Sequence, residues 1–350
     1  MIQQIFVLKK DSMDIKATKN FPATLRLVVL VMAATCGLYI CSVNLEKPTR
    51  VRVNTKLLEQ KVINHSCHTS SVEEWEEPYL HYPQPKTYNR MNDWWMNREE
   101  CACNPVRFFC ILTMQRSGSG WFETLLNSHM NVSSNGEIFV VAKRRENVTS
   151  ILKTMDEVFN LDWFSGASKN ECSAAVGFKW MLNQGLMDHH EEIVEYFERR
   201  GVSTIFLFRR NLLRRMVSVL ANSYDKIAKP LNGTHKSHVH SKEEAGILAK
   251  YRPWINSTLL MTEIKQTEET VAKALQYFKN THHIVLHYED LVKNATKVKD
   301  VQEFLGLPLR DMHSRQVKIH TGPLWKQIGN WEEVRKTLRG TPYQNFLFPD

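Results

Sequence analysis

Two stretches of the sequence combine arginine with small or hydroxyl residues in a way that suits the binding of an anion. The first, TMQRSGSGW at positions 113–121, follows an apolar run and precedes an amphipathic helical pattern. Small residues let backbone N–H groups converge on an anion, and the partial positive charge at the start of a helix adds to the attraction. The alternative interpretation is an ordinary strand-to-helix turn whose glycines serve only its geometry.

The second stretch, RNLLRRMVS, begins at Arg210 and ends at Ser218. On a helix both side chains can reach one phosphate, because arginine donates as a planar fork and serine donates a hydroxyl. A basic helix start that is merely solvated is the alternative interpretation.

The two stretches argue against a nucleoside triphosphatase. Such an enzyme needs the pattern G-x-x-x-x-G-K-[ST] and a metal-binding Asp at the end of a neighbouring strand. Here the lysine is missing, and the apolar run TIFLF (204–208) ends in Arg209 and Arg210. Because cations stand where a magnesium ligand is expected, the sequence predicts an anion that is held directly by protein charge, without a metal.

Short apolar runs must position these stretches. They read RFFCILT (107–113), AAVGFKWM (174–181), TIFLF (204–208) and HIVLH (283–287). Helical patterns fall between them, including a capping-box signature at Ser241 and Glu244. This alternation predicts an α/β domain with a parallel sheet that is covered on both faces. Ligands of such sheets bind beyond the carboxyl ends of the strands, where both arginine-bearing stretches begin.

Together the two stretches resemble the nucleotide-binding loops of sulfotransferases. The first is similar to the family's 5′-phosphosulfate loop, with matching positions at Arg116, Ser117, Gly118, Ser119, Gly120 and Trp121. The second keeps the family's interval for the 3′-phosphate site, from Arg210 to Ser218. The form of both loops resembles carbohydrate sulfotransferases most, including nodulation-factor and glycolipid types.

Later segments extend the resemblance. HYEDL (287–291) and EFLGLP (303–308) look like the family's later strand–helix signature. Lys326, Gly329 and Asn330 resemble the family's terminal loop, which covers the nucleotide. Asn330 stands where the family commonly has Asp.

The resemblance implies a P-loop-like parallel β-sheet flanked by helices, and 3′-phosphoadenosine-5′-phosphosulfate as the donor co-substrate. It implies sulfuryl transfer to a hydroxyl of a carbohydrate acceptor, a glycan or a glycolipid. By analogy with phosphoryl transfer, the protein would act mainly through positioning and charge stabilisation. Arg116 and the amides of Gly118 to Gly120 would then stabilise the departing phosphate.

The acceptor hydroxyl also needs a general base, and Glu137 is the predicted one. It follows the phosphate-loop helix by a short loop, and glycolipid-type and tyrosyl-type sulfotransferases, which the sequence resembles here, place their catalytic glutamate just after this helix. Lys179 ends the run AAVGFK and is expected at the same edge, where it would stabilise the bridging oxygen or hold the acceptor. Glu123 is the second candidate base, and plain surface positions for Glu137 and Lys179 are the alternatives.

The amino-terminal region indicates a membrane anchor. Leu27–Val43 is a run of 17 residues without a charge, at the short end for a membrane span. We expect a cytosolic tail (1–26), a transmembrane signal anchor (27–43), a stem (44–104) and a lumenal sulfotransferase domain (105–350). A buried core helix and a cleaved signal peptide are the alternatives for the apolar run.

The orientation of this anchor rests on glycosylation sequences. Equal numbers of basic residues flank the span, which leaves the positive-inside rule undecided. Asn-x-Ser/Thr sequences all follow the span, at Asn64, Asn131, Asn147, Asn232, Asn256 and Asn294. They favour a glycoprotein whose large carboxyl-terminal part lies in a secretory lumen, so a single-pass type II protein of the Golgi membrane is predicted.

Composition sets broader limits. A chain of 350 residues with 43% hydrophobic and 24% charged residues is typical of globular proteins. The net charge of +9 favours an anionic partner. Nucleic acid is not expected, because the cations cluster at strand ends and a lumenal domain meets little of it. Of the cysteines after the span, Cys110 is the expected buried free thiol.

Other interpretations stay open at this point. A histidine cluster, THKSHVH, is interpreted as a solvated or acceptor-contacting loop rather than a metal site, although it contains His235, His238 and His240. The alternative functions are a protein-tyrosine sulfotransferase, a metal-dependent nucleotide hydrolase, and a non-catalytic membrane protein with a nucleotide-binding fold. The oligomeric state is left open.

Overall fold

A five-stranded, fully parallel sheet forms the centre of the structure, a computed structural model that describes residues 106–163, 165–169 and 173–348. The strands are β1 (Arg107–Thr113), β2 (Val132–Ser134), β3 (Ala175–Met181), β4 (Val202–Phe208) and β5 (His283–His287). Their spatial order is β2-β3-β1-β4-β5, and every neighbouring pair is parallel. The parallel α/β sheet predicted from the sequence is confirmed. The short strand β2 has no counterpart among the apolar runs, since three residues are too few to give a pattern.

The helices lie between the strands and after them. They are α1 (Ser119–Leu126), α2 (Val148–Phe159), α3 (His190–Arg200), α4 (Leu212–Ala228), α5 (Lys242–Leu248), α6 (Leu260–Tyr277), α7 (Tyr288–Lys293), α8 (Ala295–Phe304) and α9 (Trp331–Leu338). Ser241 is the N-cap of α5, and its hydroxyl accepts from the Glu244 amide at 3.1 Å. The side chain of Glu244 bonds to Lys236, so the predicted capping box is formed on one side.

Successive side chains of β1 pack on opposite faces of the sheet, as the two-residue period of a strand requires. Phe109 and Ile111 lie in one apolar cluster with residues of α1 and α8. Cys110 and Leu112 lie in the other, with residues of α2, α3 and α6. Because both faces are buried, the strands are continuous apolar runs rather than alternating ones. Because all five strands are parallel, their carboxyl ends lie at the same edge of the sheet.

Cys110 is fully buried and unpaired, as expected from its place in an apolar strand. Burial raises the pKa of its thiol well above the ordinary value, so it is an inert core residue. The predicted tail, span and stem lie outside the described residues. Within the part of the chain that the structure describes, no helix combines the length and the apolar character of a membrane span.

The glycosylation sequences differ in their exposure. Asn147, Asn232, Asn256 and Asn294 are exposed, whereas Asn131 is buried just before β2. A glycan cannot fit at Asn131 in the folded domain, so this position does not support the predicted orientation. Asn64 lies outside the described residues.

Candidate active site

The loop between β1 and α1 has a backbone that few residues can adopt. Arg116 lies in the left-handed region at φ 64° and Gly118 at φ 85°. A Cβ at Gly118 would lie 2.2 Å from the ring of Tyr288, so only glycine fits beneath that ring. No described side chain caps the start of α1, and the Ser117 hydroxyl, which is 1% exposed, has no hydrogen-bond partner among the described residues. The loop thus offers donors to a ligand, at a cost in backbone strain.

Arg116 joins this loop to the second predicted stretch. Its Nε donates to the Oγ of Ser218 on α4 at 2.9 Å, and its Nη1 donates to the carbonyl oxygen of Ser237 at 2.8 Å. Partial burial and the nearby Arg209 lower the pKa of Arg116 to about 10, although Asp225 acts in the opposite direction. The guanidinium stays charged at neutral pH. The two distant stretches therefore open onto the same site.

A cavity of about 630 Å³ surrounds this contact, within the range of nucleotide-sized sites. Its cationic lining side chains are Arg116, Lys179, Arg209, Arg215, Lys226 and Lys318. Among the described lining residues the only carboxylate is Glu137. Such an excess of positive charge in a partly closed space attracts a multiply charged anion.

The structure brings most of the predicted site residues together here. The predicted residues that line the cavity are Arg116, Gly118, Ser119, Gly120, Trp121, Glu137, Lys179 and Ser218. Ser117 lies buried in the same loop, behind the lining.

Two glutamates flank Lys179, and their surroundings differ. The buried Glu123 accepts from the Gly136 amide at 2.7 Å and from the Ser134 hydroxyl at 3.0 Å, and its other oxygen lies 3.1 Å from the Lys179 Nζ. The carboxylate of Glu137 is more exposed, accepts from the Gln184 amide, and lies 3.9 Å from the same Nζ. Glu123 is thus committed to holding the loop after β2, whereas Glu137 is available at the cavity wall.

We expect Glu123→Ala to lower the free energy of unfolding by about 3–5 kcal/mol, because it removes one partner of a buried ion pair and leaves two donors without their acceptor. Denaturant unfolding measures this change. The exposed Glu146→Ala is the matched control and should change stability by less than about 0.5 kcal/mol. A similar small change at Glu123 would contradict the role that its contacts indicate.

The predicted phosphate ligand Arg210 lies outside the cavity lining. Its guanidinium pairs with Asp290 of α7 and its side chain is 52% exposed. Glu289 accepts from the Arg210 amide at 3.0 Å, which fixes the turn after β4. Instead, Arg209 and Arg215 line the cavity, and Arg215 Nε donates to the Gln115 carbonyl at 3.0 Å. The interval to Ser218 pointed to Arg210 rather than to the neighbouring Arg209. An interval in the sequence does not tell which of two adjacent side chains faces the cavity.

We therefore expect Arg209→Ala to raise the Kd for adenosine 3′,5′-bisphosphate by about tenfold or more, as loss of a charged hydrogen bond predicts. Arg210→Ala, its matched control, removes an exposed ion pair and should change Kd by less than about threefold. Titration calorimetry measures both. A larger effect at Arg210 would show that its side chain leaves Asp290 when the nucleotide binds, as the sequence predicts.

The predicted terminal loop also lies away from the cavity lining. Asn330 bonds to both backbone groups of Ile255, and Gly329 lies against the indole of Trp254. Lys326 Nζ is 5.0 Å from the ring centre of Trp325. A preceding segment (316–320) lines the cavity in place of this loop. It contributes Lys318 and His320, which sequence reasoning missed because an isolated basic segment gives no distinctive pattern.

The histidine cluster is dispersed in the structure. His235 bonds to Asn222, His240 bonds to the Arg315 carbonyl, and His238 lines the cavity. Among the described residues, no group of three or more His, Cys, Asp or Glu side chains is placed to hold a metal ion.

The chain belongs to the sulfotransferase domain family, whose model matches residues 108–321, more than half of the 350 residues. The matched region contains both arginine-bearing loops and the cavity between them. The protein is therefore a sulfotransferase, an enzyme that transfers a sulfuryl group.

Individual relatives are distant. Nodulation protein H of Rhizobium meliloti is 22% identical over 249 residues, which are 69% of this chain and 96% of the relative. Nodulation protein H of Rhizobium tropici is 23% identical over 251 residues, 68% of this chain and 92% of the relative. A solved mouse sulfotransferase complexed with PAP is 13% identical, with a TM-score of 0.33 over 69% of this chain and 80% of that one.

Proposed function

We propose that this sulfotransferase moves a sulfuryl group from 3′-phosphoadenosine-5′-phosphosulfate to a hydroxyl of a carbohydrate, a glycan or a glycolipid. The hydrogen bond between Arg116 and Ser218 inside a cation-lined cavity is the main support for this proposal. A donor with anionic groups at two ends needs cations from two loops, and these loops meet at that contact.

The residues present fit such a donor. The buried Ser117 hydroxyl has an unused hydrogen-bonding capacity, and the uncapped start of α1 favours a phosphate oxygen. Arg116 and the α1 amides would hold the phosphosulfate end, while Ser218 and Arg209 would hold the other phosphate. When bound, the donor supplies the sulfuryl group and a phosphate that can leave with the negative charge.

Glu137 is proposed as the general base because it is the cavity's one described carboxylate and is not committed to the loop after β2. As the acceptor oxygen forms its bond to sulfur, the bond from sulfur to the leaving phosphate breaks and the hydroxyl proton passes to Glu137. Arg116 and Lys179 stabilise the charge that develops on the leaving oxygen. The reaction needs no oxidant, reductant or other co-reactant besides the donor and the acceptor.

The choice of a carbohydrate acceptor rests on the form of the two loops, which resembles carbohydrate sulfotransferases. The location rests on the sequence before the described residues. We propose a single-pass type II protein of the Golgi membrane, anchored by Leu27–Val43 with its catalytic domain in the lumen. Protease protection of the full-length protein in intact Golgi vesicles tests this orientation, and digestion without detergent would contradict it.

Two measurements on the full-length protein test the reaction. Titration calorimetry with adenosine 3′,5′-bisphosphate should show binding that does not depend on magnesium. Labelled sulfate from the donor should then enter glycan or glycolipid acceptors and not tyrosine peptides. Label in peptides alone would change the acceptor, and binding without transfer to either would indicate a non-catalytic protein. Magnesium-dependent ATP hydrolysis that survives Arg116→Ala would support a hydrolase.

A further inference from the structure

Two segments outside the sheet pack together and line part of the cavity; we call residues 231–248 and 315–320 the cap. Leu231, Val239 and Leu248 form an apolar cluster against which Val317 and Ile319 pack. The Val317 amide donates to the Val239 carbonyl at 2.9 Å. The cap is thus one packed unit built from segments that are distant in the chain.

The cap places an imidazole from each of its segments into the cavity. Val239 and Ile319 take part in the apolar packing, and their neighbours His238 and His320 line the cavity. Packing of these apolar residues against one another holds the two segments together at the cavity wall.

His238 lies at the start of the phosphate-loop helix. A Cβ at Gly120 would lie 2.4 Å from its Nε2, so the imidazole rests directly on the glycine in the first turn of α1. This is where helix amides and Arg116 favour an anion. A glycine here therefore admits the imidazole to the anion site, and a larger residue would displace it.

The charges around both rings are predominantly positive. Burial in the cavity lowers the pKa of His238 to about 4, and the nearby Arg116, Lys179 and imidazole of His240 act in the same direction. Burial, Arg116 and Arg209 lower the pKa of His320 to about 4. The carboxylates of opposite charge are Glu137 in the described cavity lining and Asp225, which acts electrostatically on Arg116. Both imidazoles are therefore neutral at pH 7 while no anion is bound.

We propose that His238 and His320 bind the anionic group of the nucleotide beside Arg116, and that nucleotide binding is coupled to proton uptake by these two imidazoles. A phosphate dianion reverses the local electrostatic balance, and a protonated imidazole can donate a charge-assisted hydrogen bond to it. The inference rests on the proposed function, since it requires the nucleotide to occupy this cavity.

The sign of the pH dependence follows from the uptake. Protons are bound in the complex and not in the free protein, so affinity falls as pH rises from the pKa values of the free imidazoles to their higher pKa values in the complex, and levels off above them. For each proton taken up, Kd rises about tenfold per pH unit within that window. The second ionisation of a phosphate lies near pH 6, so above about pH 7 the ligand itself has little proton left to exchange.

Titration calorimetry of the full-length protein with adenosine 3′,5′-bisphosphate at pH 7.5 tests the proposal, in buffers that differ in ionisation enthalpy. The slope of observed enthalpy against buffer enthalpy gives the number of protons exchanged. We expect a net uptake of about half to two protons, and a Kd that rises between pH 7 and 8.5.

Variants assign the uptake to the two rings. His238→Gln and His320→Gln should each reduce the uptake and weaken binding at pH 7 by about tenfold, as loss of a charge-assisted hydrogen bond predicts. His240→Gln, an exposed residue of the same loop that does not line the cavity, is the matched control and should change neither. Thermal melting of each unliganded variant checks that it is folded.

The possible results distinguish a failure of this inference from a failure of the proposed function. Binding without proton uptake, or uptake in both histidine variants that equals that of the wild type, overturns this inference and leaves the proposed function intact. No binding by the wild-type protein overturns the proposed function and the inference with it.

Discussion

Replacing Arg116 by alanine is expected to lower kcat/KM for the sulfuryl donor by about 10²–10³-fold, the usual effect of removing one group that stabilises developing charge. Arg116 belongs to the first loop and contacts Ser218 of the second directly, so its loss weakens donor binding and charge stabilisation together. Both the Kd for adenosine 3′,5′-bisphosphate and kcat should therefore change. Steady-state kinetics and titration calorimetry measure the two effects separately.

The controls for Arg116 use the same residue type and the same charge. Arg335→Ala removes an exposed arginine that pairs with Glu332 on α9, outside the cavity lining, and should leave kinetics unchanged. Arg116→Lys keeps the charge but loses the planar fork, so an intermediate loss is expected. Wild-type kinetics in Arg116→Ala would remove this residue from the proposed site.

Replacing Glu137 by glutamine is expected to lower kcat by about 10²–10⁴-fold, the range over which a positioned base contributes. Glutamine has nearly the shape of glutamate but cannot accept the hydroxyl proton. Lys179 keeps its ion pair with Glu123 in this variant, so the cation in the cavity wall remains in place. The Kd for adenosine 3′,5′-bisphosphate should stay within about threefold, because Glu137 is not among the proposed nucleotide ligands.

A split between turnover and binding is what distinguishes a base from a structural residue at this position. Glu146→Gln is the matched control, since Glu146 is an exposed glutamate close in sequence to Glu137. A rate near that of the wild type in Glu137→Gln would reject it as the base. An equal loss of nucleotide affinity and turnover would instead assign it to the shaping of the cavity.

Much of the fold could be predicted because its signals are local. Each of the four long strands is a continuous apolar run, and a parallel sheet buried on both faces requires such runs. The loop after β1 was also identifiable, since its small residues and arginine are contiguous in sequence. Strand β2, with three residues, escaped prediction because so short a segment carries no periodicity.

The side-chain partners within the site could not be predicted in the same way. Arg210 pairs with Asp290 on α7, the helix that follows β5, and its side chain is held outside the cavity lining. The preceding Arg209 lines the cavity instead. Glu123 and Glu137 were both candidate bases, and contacts from Ser134, Gly136 and Lys179 distinguish them. The spacing of residues in the sequence cannot predict such contacts, because the two partners come from separate helices, strands or loops.

The amino-acid sequence alone was enough to predict the α/β class, the positions of four strands, and the resemblance of two basic loops to those of sulfotransferases. The contact between Arg116 and Ser218, the lining of the cavity by Arg209 and not Arg210, and the approach of His238 and His320 to it are visible only in the folded chain. The difference follows from the range of the interactions. Apolar periodicity and turn chemistry act between near neighbours in the chain, whereas a cavity is formed by packing between segments that fold together from distant parts of it.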